Sequence, residues 1–384
     1  MNKKIKVIQL INSIADGGAE TQLKNYMLNL DNSKFKCIIL SETIDITSAN
    51  ANILFGHKVP IYTPFVPKRN FICKVLNRLQ RTVIPVDKRD KYDFWYIQKR
   101  ILSLKPDIIH VHMKMLHYIV PIADQLQGVK IFYRCASTPD RYFNYNTIID
   151  SAEFDAAKYL LKHNGLQFIA LHSQMRDALN ALFGISNTLI IHNVIDLEKF
   201  QPASSTDKEQ MRTQLGIPKD AFVLGHTGRC FYIKNQSFLV DVFYHVALHN
   251  PNAYLLMIGY GDFSEIVDKI NNYGLTNRYL ILSARTDVNV LLRAMDVFVF
   301  PSLLEGMPNA LIEAQASGLK CIASSAITKE AIVSQKAIQM DLDDGAEAWA
   351  EKILNNMFDG IPQSDIKSFE VSNVIQEVEQ LYNS

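Results

Sequence analysis

The chain has 384 residues, a length typical of two domains of roughly 150 to 200 residues each. Its composition, 48% hydrophobic and 21% charged, excludes a disordered chain and predicts a soluble globular protein. A net charge of +1 gives no whole-chain reason to expect nucleic acid as a partner, because nucleic-acid-binding proteins usually carry a clear positive excess.

The cysteines and the apolar runs bear on the compartment. Five cysteines are widely spaced and include no C-x-x-C pair, so we expect neither a disulfide framework nor a zinc site. This favours a reducing, cytoplasmic compartment. The first ten residues are predicted to form a strand and not a signal peptide. The sequence contains no run of about 18 apolar residues, so no membrane-spanning helix is predicted.

Apolar runs alternate with helix-period segments along the first half of the chain, which is typical of a parallel sheet covered by helices. We expect helices at 19–30 and 173–182. The predicted strands are at 5–11, 35–40, 107–112, 129–134, 168–171 and 188–191.

A second series of the same kind follows a candidate linker at 196–220 that contains one short polar helix. Its predicted strands are at 222–226, 253–258, 279–282, 297–300 and 320–323, and its helices lie near 236–248 and 287–295. We therefore expect an α/β protein with two facing, doubly wound, Rossmann-like domains. Such sheets bind ligands outside the carboxyl ends of their strands, so the site is expected in the interdomain cleft.

The domain boundaries follow from these two series. We assign an N-terminal Rossmann-like domain to residues 1–195 and a C-terminal Rossmann-like domain to residues 196–365. Residues 366–384 form a terminal helical segment that could cross back to the first domain, since apolar spacing alone does not fix which domain it covers.

The stretch 301–318 is the most informative motif. It follows a buried strand, and its Gly306, Pro308 and Asn309 predict a loop that enters a helix. The free backbone N–H groups at that helix start suit a phosphate. Glu305 in the loop and Glu313 one turn into the helix could accept hydrogen bonds from sugar hydroxyls. For Glu313, compensation of the helix dipole is an equally good interpretation.

A second motif, 225–235, follows the first strand of the second domain. Gly228 permits a sharp turn there, and Arg229 and Lys234 place two cations on one loop. Two such cations can neutralise a diphosphate without a metal. Alone, a pair of this kind is more often part of a solvated surface, but the nearby anion-binding motif favours a ligand.

Taken together, these motifs resemble those of family 4 glycosyltransferases. The resemblance rests on Glu305-x7-Glu313, on Gly228-Arg-x4-Lys234 and on Gly17-Gly18-Ala19-Glu20 after the first strand, and it spans nearly the whole chain. The sequence is most similar to the bacterial exopolysaccharide and capsule enzymes. The resemblance implies the two-domain GT-B fold, a retaining hexosyltransferase, a nucleotide-diphosphate sugar as donor, with a UDP-sugar favoured, and no metal or other cofactor.

The resemblance also implies roles for the domains and for single residues: the N-terminal domain, 1–195, would bind the acceptor and the C-terminal domain, 196–365, would bind the nucleotide sugar. Arg229 and Lys234 would bind the diphosphate and stabilise the charge on the leaving group, Glu313 would hold the ribose and Glu305 would contact the donor sugar. Other implied donor-binding positions are the glycines Gly17, Gly18, Gly259 and Gly306, the loop and helix-start residues Met307, Asn309, Ala310 and Leu311, and Ala284 with Arg285 beside the base.

The sequence departs from the family pattern in the first domain. The family often has a His after the strand that ends near residue 133, whereas this chain reads Tyr133-Arg-Cys-Ala-Ser-Thr-Pro-Asp140. The role is then filled by Arg134 or Ser137, or is absent. His110 and His112 share one strand face and are interpreted as core or acceptor-side residues, since no third ligand for a metal lies near them.

One acidic motif and the hinge between the domains carry less information about function. Asp341-Leu-Asp343 has the form of a metal-binding Asp pair, but it stands before a predicted helix, where acidic caps are common; we interpret it as a loop and cap. The hinge reads Asn193-Val-Ile-Asp196 where the family usually has Asn-Gly-Val-Asp, so a tight glycine turn is not expected there.

The small net charge of the whole chain conceals one strongly basic segment. Residues 68–105 hold eleven Lys and Arg against three Asp, a local net charge of +8 that leaves −7 for the rest. Lys74, Arg78 and Arg81 fall on one face of a predicted amphipathic helix, which suits an anionic membrane surface. The alternative is a solvated helix packed on the first domain.

We therefore expect a transferase that moves a hexose or N-acetylhexosamine to a lipid-linked or growing surface polysaccharide, at the inner face of the membrane. One alternative is a sugar-nucleotide epimerase of the same fold, which would release epimerised donor without an acceptor. Another is a catalytically silent partner subunit of a glycosyltransferase, suggested by the missing His. Transfer or donor hydrolysis by the isolated chain would exclude that subunit role.

Overall fold

The computed structural model describes residues 3–64, 86–144 and 147–384. The contacts divide the chain into two compact units. One consists of Met1–Val194 together with Val374–Ser384, and the other of Ile195–Asn373.

The first unit is built on a parallel sheet. Its described strands are β1 (Ile5–Ile14), β2 (Phe35–Ile44), β3 (Ile61–Tyr62), β4 (Ile108–His112), β5 (Lys130–Arg134), β6 (Gln167–Ala170) and β7 (Leu189–Ile190). Their order across the sheet is β3-β2-β1-β4-β5-β6-β7, so the direction of winding reverses between β1 and β4. Every described pairing is parallel; Val7, for example, lies opposite both Cys37 and Ile108. Parallel strands need crossover connections, which explains the helices between them.

The helices of this unit are α1 (Gly18–Asn29), α2 (Ala49–Gly56), α3 (Val86–Leu104), α4 (Ile148–Asn164), α5 (Ser173–Phe183) and the C-terminal α12 (Val371–Asn383), most of which groups with this unit. The last helix packs on the sheet, because the Tyr382 ring meets Phe35 edge-on at 5.6 Å and Glu379 pairs with Lys34 at 3.1 Å. The final residues of the chain are thus part of the first core.

The second unit has a six-stranded parallel sheet. Its strands are β8 (Phe222–Thr227), β9 (Ala253–Ile258), β10 (Tyr279–Leu282), β11 (Val297–Phe300), β12 (Lys320–Ser324) and β13 (Ala337–Met340), in the order β10-β9-β8-β11-β12-β13. Winding reverses between β8 and β11. Leu224, Leu255 and Val297 are at most 1% exposed, as expected of strands covered on both faces.

The helices of the second unit are α6 (Ser205–Leu215), α7 (Gln236–His249), α8 (Ser264–Asn272), α9 (Val288–Leu291), α10 (Asn309–Ala316) and α11 (Gly345–Leu354). The segment predicted as a linker contains α6, and that helix is packed on this unit. Buried Arg212 donates to Asp296 at 2.6 Å and to the Ala294 carbonyl at 3.0 Å. Local composition shows a polar helix, but only the tertiary contacts show that it is anchored.

Candidate active site

The motif at 225–235 lies where the winding of the second sheet reverses. Loops after β8 and β11 meet there, the place where open parallel sheets bind ligands. The Leu303 N–H donates to the Ile233 carbonyl at 2.8 Å, so the two loops that carry the predicted residues are joined by backbone.

Lys234 and Glu305 form an ion pair across these loops. The Lys234 Nζ lies 2.6 Å from the Glu305 Oε1, and both side chains are largely buried. The ammonium also lies 5.1 Å from the centre of the Phe300 ring. Two residues that are 71 positions apart in the sequence are therefore brought together, as the resemblance implied for a common donor site.

Arg229 has a different environment. Its side chain is exposed, and among the residues that the structure describes no carboxylate lies within 4.0 Å of its guanidinium. The guanidinium carbon is 5.2 Å from the Phe231 ring centre and 5.6 Å from that of Tyr260. Its positive charge is thus available to an anion, whereas the charge of Lys234 is already balanced by Glu305.

His226 and Gln236 support the Arg229 loop from beneath. His226 is 1% exposed, its Nδ1 lies 3.0 Å from the Val299 carbonyl, and burial lowers its pKa to about 4. The neutral ring leaves Nε2 as an acceptor, 3.5 Å from the Gln236 amide nitrogen. That amide also donates to the Arg229 carbonyl at 2.9 Å. The two side chains fix the backbone at Arg229.

Two glycines after β9 allow the neighbouring loop to approach. A Cβ at Gly259 would lie 1.9 Å from the Gly228 carbonyl oxygen, and one at Gly261 would lie 2.8 Å from that of Cys230. Gly261 also has φ +119°, a conformation that other residues rarely adopt. The predicted position Gly259 therefore has a local structural reason for being glycine.

Helix α10 begins at Asn309, as the motif predicted, and Pro308 precedes it. The first turn of a helix leaves N–H groups without intrahelical acceptors, which suits Ala310 to an anion, and the predicted position Asn309 opens the same turn. The Leu311 amide differs, because it donates to the Pro308 carbonyl at 3.1 Å. Gly306 and Met307 are buried, while Glu313 is half-buried one turn into the helix.

The residues predicted to lie beside the base follow β10. Ala284 and Arg285 are exposed. The Arg285 Nε and Nη2 groups donate to the two carboxylate oxygens of Asp287, each at 2.7 Å, and these bonds raise the pKa of Arg285. This side of the Arg285 guanidinium is therefore already occupied by Asp287.

Gly17 and Gly18 belong to the first unit, at the start of α1. A Cβ at Gly17 would lie 2.3 Å from the Glu20 Oε2, whereas one at Gly18 would meet nothing within 4 Å. Glu20 is buried, which raises the pKa of its carboxyl group. A side chain at Gly17 would thus have to displace the Glu20 carboxylate, while Gly18 offers exposed backbone.

His110 and His112 lie in the core of the first unit, stacked 4.5 Å apart. They are 0% and 1% exposed. His110 Nδ1 lies 2.7 Å from the Tyr382 hydroxyl and His112 Nε2 lies 2.8 Å from the Gln9 Oε1. The sequence left two interpretations open for these histidines, core residues or acceptor-side residues. The structure places both rings in the core.

Arg134 and Ser137, the alternatives for the missing His, differ in exposure. Arg134 is 1% exposed, and its guanidinium donates to the Tyr26 hydroxyl at 3.2 Å and to the Asn193 Oδ1. It is a buried residue that ties β5 to α1 and to the end of the unit. Ser137 is half-buried, and its carbonyl accepts from the Cys135 thiol.

Lys74, Arg78 and Arg81, predicted as a membrane-binding face, lie outside the described residues. Helix α3 carries part of the basic segment. Its Trp95 is 50% exposed, with the Lys99 ammonium 4.4 Å from the ring centre. In the part of the chain that the structure describes, no helix has the length and apolar character needed to cross a bilayer.

The Asp341 to Asp343 motif forms a turn. The Asp343 N–H donates to the Asp341 carboxylate at 3.1 Å, and the Asp344 carboxylate accepts from the Asp341 N–H at 3.2 Å just before α11. These acids serve the backbone of the turn, which agrees with the predicted loop.

Sequence reasoning missed Phe231, Tyr260, His226 and Gln236. His226 stood inside the motif, and its place at the end of a buried strand signalled a core histidine. The exposed aromatics carried no spacing signal, because their common partner Arg229 is reached from two loops that are distant in sequence.

Two family models match the chain along most of its length. "Glycosyltransferase Family 4" matches residues 17–199, and "Glycosyl transferases group 1" matches residues 221–359. The first begins just after β1 and covers β2 to β7, and the second covers the loops that carry Arg229, Lys234 and Glu305.

Relatives agree with these matches. EpsF of Bacillus subtilis (strain 168), named as a glycosyltransferase, is 28% identical over 371 residues, which cover 94% of this chain and 90% of EpsF. A UDP-Gal:alpha-D-GlcNAc-diphosphoundecaprenol alpha-1,3-galactosyltransferase of Escherichia coli is 28% identical over 309 residues, or 74% of this chain and 77% of that enzyme.

Solved structures agree on the fold. Anabaena HepE in complex with UDP and glucose has a TM-score of 0.75 at 18% identity, with 99% of this chain and 100% of that chain covered. WaaG, a glycosyltransferase involved in lipopolysaccharide biosynthesis, has a TM-score of 0.67 at 11% identity, with 97% and 95% covered. The predicted GT-B fold, with two parallel Rossmann-like sheets, is confirmed. The chain belongs to the family 4 glycosyltransferases.

Proposed function

We propose that this glycosyltransferase retains anomeric configuration while it moves a hexose or N-acetylhexosamine from a UDP-sugar to a lipid-linked or growing surface polysaccharide. The observation that carries the proposal is the group formed by Arg229, Lys234 and Glu305 at the switch point of the second sheet. Support for the donor comes from HepE, whose structure holds UDP and glucose, and for the acceptor from the diphosphoundecaprenol-linked substrate in the name of the Escherichia coli relative.

The two cations take the part that a metal has in other transferases. The Arg229 guanidinium, which lacks a carboxylate partner among the described residues, receives the diphosphate oxygens. Lys234 shares its charge between Glu305 and the leaving phosphate. Fixed cations directed at developing negative charge are usually the largest single contribution to such catalysis, so we propose that no metal or other cofactor is needed.

The transfer step replaces one bond at the anomeric carbon of the donor sugar with another. The acceptor hydroxyl oxygen forms a bond to the anomeric carbon as the bond from that carbon to the β-phosphate oxygen breaks. Attack occurs on the face that the phosphate leaves, so configuration is retained, and the hydroxyl proton passes to a phosphate oxygen. Glu305 accepts a hydrogen bond from the donor sugar, and Glu313 accepts from the ribose hydroxyls.

The proposed lipid-linked acceptor indicates where in the cell the enzyme would work. We propose that the first unit contacts the anionic inner leaflet, where lipid-linked acceptors are presented. The exposed Trp95 beside Lys99 on α3 has the pairing of an aromatic ring and a cation that suits a membrane interface. Co-sedimentation with anionic but not with neutral vesicles would support this, and equal binding to both would contradict it.

The test of the function uses the purified chain, a panel of UDP-sugars and a lipid-diphosphate-linked sugar acceptor. We expect a product whose anomeric configuration by NMR matches the donor, formed equally with and without EDTA. Arg229→Ala should lower kcat/KM by about 100-fold or more without changing the melting temperature, since its side chain is exposed. Wild-type turnover in that variant would refute the role, and an inverted product would refute retention.

A further inference from the structure

We propose that Phe231 and Tyr260 are positioning residues that hold the Arg229 guanidinium ready for the diphosphate, an inference that rests on the proposed function. Both rings are 41% exposed, although exposure of large aromatic surface is unfavourable. They lie 5.2 and 5.6 Å from the guanidinium carbon, within the range of a cation–π contact. The contact gives a physical reason for two exposed rings at this place.

The backbone delivers Tyr260 to this position. The Cys230 N–H donates to the Tyr260 carbonyl at 2.7 Å, and the Gly228 N–H donates to the Ile258 carbonyl at 2.9 Å. Gly259 and Gly261 flank Tyr260, and each lies so close to the Arg229 loop that a Cβ would clash with a backbone oxygen. These hydrogen bonds and close approaches hold the backbone of Tyr260 against the Arg229 loop.

The contact leaves the arginine free to bind its ligand. Aromatic rings contact the face of a guanidinium, whereas its N–H donors point outward in its plane. The rings can thus restrict the rotamers of the exposed side chain without occupying the donors. Lys234 needs no such contact to be held, because Glu305 pairs with it at 2.6 Å.

The first measurement uses UDP as the probe and isothermal titration calorimetry as the readout. Phe231→Leu and Tyr260→Leu should each weaken UDP binding about two- to fivefold, the factor expected for an exposed cation–π contact. Tyr260→Phe keeps the ring and should bind UDP like the wild type. Phe55→Leu is the control, because it removes a 38% exposed ring of α2 in the first unit, and it should also bind UDP like the wild type.

A double-mutant cycle tests whether the rings act through Arg229. In the Arg229→Ala background, Tyr260→Leu should cause no further loss of UDP affinity, because the guanidinium it positions is gone. An equal loss of UDP affinity in both backgrounds, or a loss in Phe55→Leu as large as in Phe231→Leu, would overturn the proposal. So would wild-type affinity in both ring variants.

A second measurement, made without ligand, separates this proposal from the proposed function. The NMR order of the Arg229 Nε–H group should fall in Phe231→Leu and in Tyr260→Leu but not in Tyr260→Phe. If the wild type binds no UDP while this order still falls in the ring variants, the donor assignment fails and the positioning contact stands. If the wild type binds UDP and the order is unchanged, the positioning proposal fails alone.

Discussion

At the residue scale, the Lys234 and Glu305 pair makes a sharp prediction. Lys234→Met keeps an unbranched side chain of similar length but removes the charge that lies beside Glu305 and over the Phe300 ring, the charge proposed to stabilise the leaving group. We expect kcat/KM to fall about 100- to 1,000-fold, the usual cost of removing one such group. Steady-state kinetics with a UDP-sugar checks this, with the melting temperature as the measure of folding.

The chain offers a matched control for that change. Lys208 pairs with Asp296 at 2.8 Å, and the two side chains are 31% and 23% exposed, similar to the pair at the site. Asp296 precedes β11 and so lies at the opposite edge of the sheet. Lys208→Met should leave kcat/KM unchanged. If both variants lose the same activity, the effect comes from a lost ion pair and not from lost catalysis.

Gly18 is the second residue with a distinct expectation. The resemblance implies that its backbone approaches the phosphates and the acceptor, and a methyl group there would meet no protein atom within 4 Å. Gly18→Ala should therefore keep or raise the melting temperature, since alanine favours a helix by up to about 1 kcal/mol over glycine, yet lower kcat/KM about tenfold or more. Enzyme assays and thermal unfolding of one preparation check both results.

Gly56 gives the corresponding control. It ends α2 in the same unit, and a Cβ there would also meet nothing within 4 Å. Gly56→Ala should leave both activity and folding close to those of the wild type. Full activity in Gly18→Ala would show that no substrate comes near that backbone.

At the element scale, the sequence predicted most of the sheets because buried parallel strands are continuous apolar runs. Residues 253–258, 279–282 and 297–300 match their strands, and α10 begins at the predicted loop. The edge strands β3 and β13 were missed: β3 has only two residues, and β13 reads Ala-Ile-Gln-Met, which is too short and mixed to give a period. The anchoring of α6 was missed because Arg212 and Asp296 are 84 positions apart.

The last helix allows a prediction at this scale. The Gln9 amide donates to the Tyr382 hydroxyl at 2.9 Å, and the hydroxyl in turn donates to His110 Nδ1. The Tyr382 hydroxyl thereby joins α12 to β1 and β4. Tyr382→Phe leaves both buried partners unsatisfied. We expect the free energy of unfolding to fall by about 1–3 kcal/mol, measured by urea denaturation.

Tyr159→Phe is the control for the terminal helix. Tyr159 is half-buried in the same unit, and its change should leave the free energy of unfolding nearly unchanged. Equal stability of Tyr382→Phe and the wild type would show that the hydroxyl does not anchor α12.

At the scale of the whole molecule, each unit contains histidines that are buried and neutral. Burial lowers the pKa of His110 to about 3 and that of His226 to about 4, with smaller contributions from Arg134 and Lys234 respectively, and it lowers the pKa of His112 well below its usual range. In the unfolded chain a histidine has a pKa of about 6.5. Between these values the unfolded state binds more protons, so acid favours unfolding of both units.

The sign of this effect gives the last prediction. Stability is fully present above about pH 6.5 and is lost as the pH falls toward the folded pKa, by up to about 1.4 kcal/mol per pH unit for each histidine. Urea unfolding at pH 7 and pH 5 should therefore differ less in His226→Asn than in the wild type, by about 2 kcal/mol, whatever the variant costs at pH 7. His57→Asn replaces an exposed histidine and should keep the wild-type difference. An unchanged difference in His226→Asn would mean that the ring takes up its proton over the same pH range in the folded and the unfolded protein, so that burial does not keep it neutral.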